Sequence, residues 1–229
     1  WGDPYVGNVT STLTWNPLDF LYPTDPYFEY DNTIWIGTLS INNGATLTIL
    51  PGGTLRERYN PQRLTINVGG TLDIKAGAFV WIYHFTNNGL LILESIADEE
   101  AVVQFYTTDW LGSGTSQIQL FMTGGYENVG GTDYYKWHYV SVPVEDFVPT
   151  VFTSATFDFA QYIESNVVST DNMTGWVSWE GYNYVSGTYP GPTISSLKLG
   201  KGYNIWNEPV YNVYTISITG PLNVADVPT

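Results

Sequence analysis

Gly37-Thr38-Leu39, Gly53-Thr54-Leu55, Gly70-Thr71-Leu72 and Gly89-Leu90-Leu91 follow one another at intervals of 16, 17 and 19 residues inside the segment Trp35–Leu93. After three of these glycines apolar residues alternate with others, as Leu39 and Ile41, Leu72 and Ile74, Leu91 and Leu93; a further copy, Gly44-Ala45-Thr46-Leu47-Thr48-Ile49, is out of step with the tripeptide series. Alternation at period two puts one row of side chains on a buried face, so each copy reads as a short strand. Asn42-Asn43-Gly44, Pro51-Gly52-Gly53 and Asn87-Asn88-Gly89 read as the turns between them. Short strands at a nearly constant interval, none able to bury its face alone, form the pattern of a stacked β-solenoid. An antiparallel meander is the alternative. The solenoid is expected over residues 33–111, with Leu39, Ile41, Leu47, Ile49, Leu72, Ile74 and Leu91 facing inward.

Composition sets the outer bounds. The 229 residues hold 7 Lys plus Arg against 22 Asp plus Glu, and the resulting net charge of −15 repels a phosphate backbone, which makes nucleic acid and anionic membrane surfaces poor partners. There is no cysteine, so disulfides and cysteine-ligated metals are excluded. With 43% hydrophobic and 16% aromatic residues the chain has ample material for packed cores. Helix is nearly absent from the pattern, because 23 Gly and 13 Pro interrupt most windows long enough to form one. No apolar run reaches the roughly 18 residues of a membrane span, and no basic, apolar leader is present. The chain opens on Trp1, as expected of a processed chain or of part of a longer one.

Residues 1–32 read as an aromatic, proline-punctuated lead-in that caps the solenoid's open end. Its one strand, Val9-Thr10-Ser11-Thr12-Leu13-Thr14-Trp15, is the candidate for pairing with a second copy of the chain. Asp25, Glu29 and Asp31 offer oxygen ligands of the kind calcium takes, but their spacing matches no calcium loop and reads first as a solvated acidic loop, so no cofactor is expected. Asn8-Val9-Thr10 and Asn172-Met173-Thr174 fit the N-glycosylation pattern. Arg56, Arg58 and Arg63 flank Glu57 around the insertion Tyr59-Asn60-Pro61, and read either as ion pairs with acidic neighbours or as a seat for an anionic group. Phe79, Trp81, Tyr83 and Phe85 alternate with Val80, Ile82 and His84, which suggests a strand buried on both faces.

Residues 112–133 read as a linker, Gly112-Ser113-Gly114-Thr115-Ser116, followed by a Gly-rich hairpin loop at 124–132. Over 134–229 strands are expected near 137–142, 151–159, 175–179, 182–185, 202–206 and 211–218, with at most one helical turn at 159–167. This is the pattern of a β-sandwich or jelly-roll, with Trp137, Tyr139 and Tyr203 in its core.

Lys136-Trp137-His138-Tyr139-Val140-Ser141-Val142-Pro143-Val144, Leu199-Gly200-Lys201-Gly202-Tyr203-Asn204-Ile205 and Ile218-Thr219-Gly220-Pro221-Leu222-Asn223 resemble the opening and closing strands of the β-sandwich module in large surface proteins of the Bacteroidota, typically exported by the type IX secretion system. The Gly-Thr-Leu repeats resemble the solenoid that often lies upstream of it. The resemblance implies an extracellular or cell-surface protein. No sorting domain follows Asn223, so export by that route is an expectation about a parent protein.

Catalytic groups are sparse. His84 and His138 are isolated, and strand alternation puts His138 and Ser141 on opposite faces. A polysaccharide-cleaving solenoid would need paired carboxylates, for which Asp73 and Glu94 are the candidates. Trp176, Trp179, Tyr182, Tyr184 and Tyr189 lie close together among Gly and Asn and suit a carbohydrate platform, or else the packing of a sandwich. The expected function is a non-enzymatic structural or adhesive unit, a filament subunit or adhesin module whose partners are copies of itself or adjoining modules. The alternative is a carbohydrate-binding module or a piece of a polysaccharide-degrading enzyme.

Overall fold

The computed structural model describes residues 5–15, 33–57, 63–105, 110–123, 126–135, 137–144, 147, 157–162, 175–178, 197–198, 201–207 and 213–222, and among them there is no α-helix. The chain divides into two units, Trp1–Leu120 with Ser217–Asp226, and Phe121–Ile216 with Val227–Thr229.

The first unit is a β-solenoid. β1 (Tyr5–Val9) and β2 (Leu13–Trp15) form two sides of an initial turn. About three full turns follow: β3 (Thr33–Ile41) with β4 (Thr46–Ile49); β5 (Thr54–Glu57), β6 (Leu64–Ile66) and β7 (Thr71–Ile74); and β8 (Phe79–Ile82), β9 (Phe85–Asn87) and β10 (Leu90–Leu93). The antiparallel pair β11 (Ser95–Ile96) and β12 (Glu99–Glu100) bulges out before β13 (Val102–Phe105), β14 (Trp110–Leu111) and β15 (Thr115–Thr123) continue the three faces. Pairing from turn to turn is parallel: β3 serves two faces, its start pairing with β5 and its end with β6, and the third face runs β2-β4-β7-β10-β15.

Register explains the sequence repeat, and in a way the tripeptide spacing does not. Leu47 lies opposite Leu72 and Leu72 opposite Leu91, steps of 25 and 19 residues. The copy that stands out of step, Gly44-Ala45-Thr46-Leu47, is therefore the true stacking mate of Gly70-Thr71-Leu72 and Gly89-Leu90-Leu91, whereas Gly53-Thr54-Leu55 begins a different face. The glycines mark corners, whichever corner they stand at. A Cβ on Gly70 would lie 2.5 Å from the Ile41 carbonyl oxygen, and one on Gly89 would lie 2.4 Å from that of Gly70. Only glycine lets these corners nest. The inward residues expected from alternation, Leu39, Ile41, Leu47, Ile49, Leu72, Ile74 and Leu91, are all buried.

Several boundaries differ from expectation. The segment Val9–Trp15 is two strands with a corner at 10–12, where Thr10, Ser11 and Thr12 are all exposed, while Val9, Leu13 and Trp15 pack inward or nearly so. The solenoid thus begins before residue 33, and residues 1–4 and 16–32 lie outside the described ones. Gly112–Ser116 is no linker: Gly114 N donates to Asn87 O at 2.8 Å, Thr115 N donates to Gly89 O at 2.9 Å, and Thr115–Ile118 pairs with Leu90–Leu93. The apolar run 79–85 breaks at Tyr83–His84, and of its first strand only Val80 and Ile82 are buried, while Phe79 and Trp81 face outward half-covered.

Scarce charges tie turns together. Glu57 occupies an inward position opposite Ile36, just where the chain leaves for the insertion. Its Oε1 accepts from Leu64 N at 3.0 Å, and its Oε2 accepts from Tyr83 N at 2.7 Å and His84 N at 3.1 Å. The carboxylate thus ties backbone N–H groups of two neighbouring corners together, and Leu64 N is shared with His84 O at 3.0 Å. Outside, the register Trp35–Arg56–Trp81 puts the Arg56 guanidinium over both indoles, 4.9 and 3.4 Å from their centroids. Arg63 Nη1 donates to Thr86 Oγ1 at 2.9 Å; Arg58 lies outside the described residues.

In the second unit β16 (Tyr126–Val129) and β17 (Thr132–Tyr135) make a tight hairpin, so most of the expected loop 124–132 is strand. β18 (Trp137–Ser141), β19 (Phe157–Tyr162), β20 (Trp176–Ser178) and β21 (Gly202–Asn207) form one antiparallel sheet in the order β18-β21-β19-β20. The described strands of this unit are this four-stranded sheet and the β16–β17 ribbon, and they do not establish the two packed sheets of the expected sandwich. The last strand, β22 (Val213–Gly220), pairs with β15, and Gln117 Nε2 donates to Ser217 Oγ at 3.2 Å. Phe159–Tyr162 is strand and not a helical turn, and 182–185 lies outside the described residues. Tyr139 is 77% exposed, against its expected place in the core. Register gives the reason: Tyr139 faces Asn204, whereas Tyr203 faces Val140, so the two tyrosines point to opposite sides and only Tyr203 is buried. The side chain of Trp137 is outside the description.

Two tests follow from the solenoid. Leu72→Ala removes a fully buried side chain in the middle of an inward column and should cost about 2–5 kcal/mol in urea unfolding. Burial raises the Glu57 pKa above its ordinary value, more than its backbone hydrogen bonds lower it. The folded chain therefore holds that proton more tightly than the unfolded chain, and the resulting stability is fully present below the ordinary glutamate range and lost as pH rises through the raised value. Urea melts of wild type and Glu57→Gln from acid to neutral pH should show wild type losing ground relative to the variant as pH increases.

Candidate binding site

The second sheet carries the most exposed ring cluster among the described residues. β18 and β20 are three strands apart, about 14 Å at the usual spacing, yet the rings of Tyr139 and Trp176 have centroids 6.5 Å apart with 46° between planes. To meet, they must lean toward each other over the two middle strands. Tyr162, directly opposite Trp176, meets that indole edge-on at 5.2 Å and 63°. Gly175 permits the arrangement, since a Cβ there would come within 2.4 Å of the Tyr162 ring.

Under this roof the floor is made of small and amide side chains. Asn204 is the register partner of both Tyr139 and Ala160, and Asn204 and Ala160 are 8% and 3% exposed although they share their face of the sheet with rings open to solvent. Asn204 Oδ1 is buried and accepts no hydrogen bond. An acceptor left unmet in this way costs about 1–3 kcal/mol. The reverse face of the same strand is complete: Tyr203 is fully buried, its hydroxyl accepts from Lys198 N, and burial raises its pKa against that bond.

The other sequence candidates fall as follows. Of the aromatic group, Trp176 is in the cluster, while Trp179, Tyr182, Tyr184 and Tyr189 lie outside the described residues, as do Asp25, Glu29, Asp31 and Asn172. Tyr139, Tyr162 and Asn204 are additions that only strand register brings together. Asp73 and Glu94 do approach one another on the solenoid, but Lys75 Nζ sits between them, 2.8 Å from Asp73 Oδ2 and 2.6 Å from Glu94 Oε1. Burial works against the Lys75 charge, yet hydrogen bonds to the two carboxylates outweigh it and hold its pKa above the ordinary value. His138 Nε2 lies 2.8 Å from Thr123 O, and the backbone N–H of His84 is bonded to Glu57. Asn8 is exposed on β1. Among the described residues no group of three or more His, Asp or Glu is placed to hold a metal ion, and no helix is long and apolar enough to cross a membrane.

Comparison with protein-family models, curated proteins and solved structures gives no match.

The two faces of the sheet make a paired prediction. Tyr139→Ala should leave the melting curve within about 0.5 kcal/mol of wild type, as expected for an exposed side chain. Tyr203→Ala, on the packed side, should cost about 3–5 kcal/mol.

Proposed function

We propose that the chain is a non-enzymatic structural or adhesive unit that works at a cell surface or outside the cell, joined edge to edge to copies of itself or to adjoining modules. The resemblance of its motifs to Bacteroidota surface proteins favours that setting. The observation that carries the reading is the free rim of the first solenoid turn. β2 ends its sheet and β1 pairs only with β3, so among the described residues no strand covers their outer edges. Leu50 N donates to Trp15 O, which turns Trp15 toward β4 and, by the alternation of a parallel ladder, turns the Thr14 N–H outward. A row of unpaired backbone groups beside a completed ladder is a template for another strand. The Asp73–Lys75–Glu94 bridge supports the non-catalytic part of the reading, because the Lys75 ammonium stands between the two carboxylates, 2.8 and 2.6 Å from them.

Light scattering of the full chain over a concentration series tests the proposal. Wild type should gain mass with concentration, and Thr14→Pro, which deletes only an outward N–H, should weaken association at least tenfold. Thr14→Lys, a second edge-blocking change at an exposed position, guards against a proline-specific distortion. A wild-type chain that stays monomeric throughout, or variants that associate as wild type does, would overturn it.

A further inference from the structure

We infer that the roof of Tyr139, Trp176 and Tyr162 over Asn204 is a saccharide-binding site that takes the flat face of a neutral sugar ring and places one of its hydroxyls on Asn204 Oδ1. This goes beyond edge-to-edge assembly and rests on different residues.

Three observations converge on that ligand class. The first is the unmet acceptor: Asn204 is 92% buried by its 8% exposure, and its Oδ1 has no partner, so the missing component is a hydrogen-bond donor. The second is the roof. Tyr139 is 77% exposed and Tyr162 is 37% exposed, large rings held open to solvent beside a buried polar floor. A binding site of this type combines apolar faces for area with one placed polar group for orientation. The third is spacing. A cation enclosed by rings sits up to about 6 Å from each centroid, but these rings touch one another at 5.2 and 6.5 Å and leave no cage between them. The ligand must therefore lie against the rings and not among them, and it must donate at its edge. A pyranose ring has that shape, with an apolar face of C–H groups and hydroxyl donors around its rim. The four side chains carry no charge, and a chain of net charge −15 disfavours acidic polysaccharides, which leaves the neutral ones.

Access follows from the same geometry. Tyr139 leans across the sheet to reach Trp176, and its large exposure leaves it room to rotate outward. A sugar that slides under its edge can then donate to Asn204 while keeping ring contact on the other side.

Affinity electrophoresis of the full chain through gels containing neutral polysaccharides (β-glucan, xylan, mannan or soluble chitin derivatives) gives the test. At least one should retard wild type. Trp176→Ala and Tyr139→Ala should each weaken that retardation at least tenfold, and so should Asn204→Leu, which keeps the bulk of the side chain and removes the acceptor. Tyr139→Ala, at an exposed position, controls for folding: its melt should match wild type. Retardation by no neutral polysaccharide, retardation only by an acidic polysaccharide, or equal retardation of wild type and Tyr139→Ala would each overturn the inference. So would binding of a tetraalkylammonium probe that all three variants abolish while no polysaccharide binds. None of these outcomes bears on the association of Thr14 variants, so the assembly proposal can stand or fall separately.

Discussion

Parallel stacking of one turn directly on the next is the constraint from which the first unit follows. The inward columns are apolar at most levels, with Glu57, Asn87 and Ser116 as buried polar members, and the corners nest against those below. The corner bonds show how closely: Gly44 N donates to Gly69 O, Gly52 N donates to Gly77 O, and Asn67 Nδ2 donates to Asn42 Oδ1 at 2.8 Å. Along these corners asparagine recurs as Asn42, Asn67 and Asn88, and glycine as Gly70, Gly89 and Gly114 where the turn before has the small Ala45, because backbone atoms there approach within contact distance. Asn87 shows the cost of a departure and its remedy. It occupies an inward position opposite Ile66, and its amide is satisfied locally, accepting from Gly89 N and donating to Thr115 O.

Polar groups placed inside or against this stack find partners on a neighbouring corner or turn. Glu57 accepts from three N–H groups of two successive corners. Lys75 reaches from its own turn to Glu94 on the next. Arg56 lies between indoles of the turns on either side. In a strongly acidic chain the few cations of the described solenoid serve as links between turns, and electrostatic energy that would push the turns apart is offset at the points where charge is densest.

The sequence made the strand periodicity legible and, with it, the parallel stack and its inward residues, because burial at period two leaves the same signature whatever the strand's neighbours are. It hid the face to which each copy belongs. Gly53-Thr54-Leu55 and Gly70-Thr71-Leu72 look alike since both follow a corner, and a three-sided coil has three such places per turn. The corner at Thr10–Thr12 is hidden because it keeps Val9 and Leu13 in the same phase on either side of it. The ring cluster of the second unit was hidden for a related reason. Trp176 is visible as one aromatic in a rich stretch, but its partners Tyr139, Tyr162 and Asn204 come from three other strands, and only their register, never their spacing, brings them to one side of the sheet. The phase error that placed Tyr139 in the core is the same ambiguity seen on a single strand.

The stacked turns also determine how the chain meets mechanical load. Hydrogen bonds between turns run along the stacking axis, so tension applied at a chain end meets them a few at a time, as in opening a zipper, and not all together as in shearing a sheet. Each freed turn of 19 to 25 residues would pay out slack of about 60–90 Å at about 3.3–3.6 Å per residue. The Trp35–Arg56–Trp81 stack and the Lys75 bridge fasten particular turns beyond their backbone bonds, which makes them the places where such unravelling pauses. A solenoid built this way yields in steps under tension and keeps the turns beyond each pause intact.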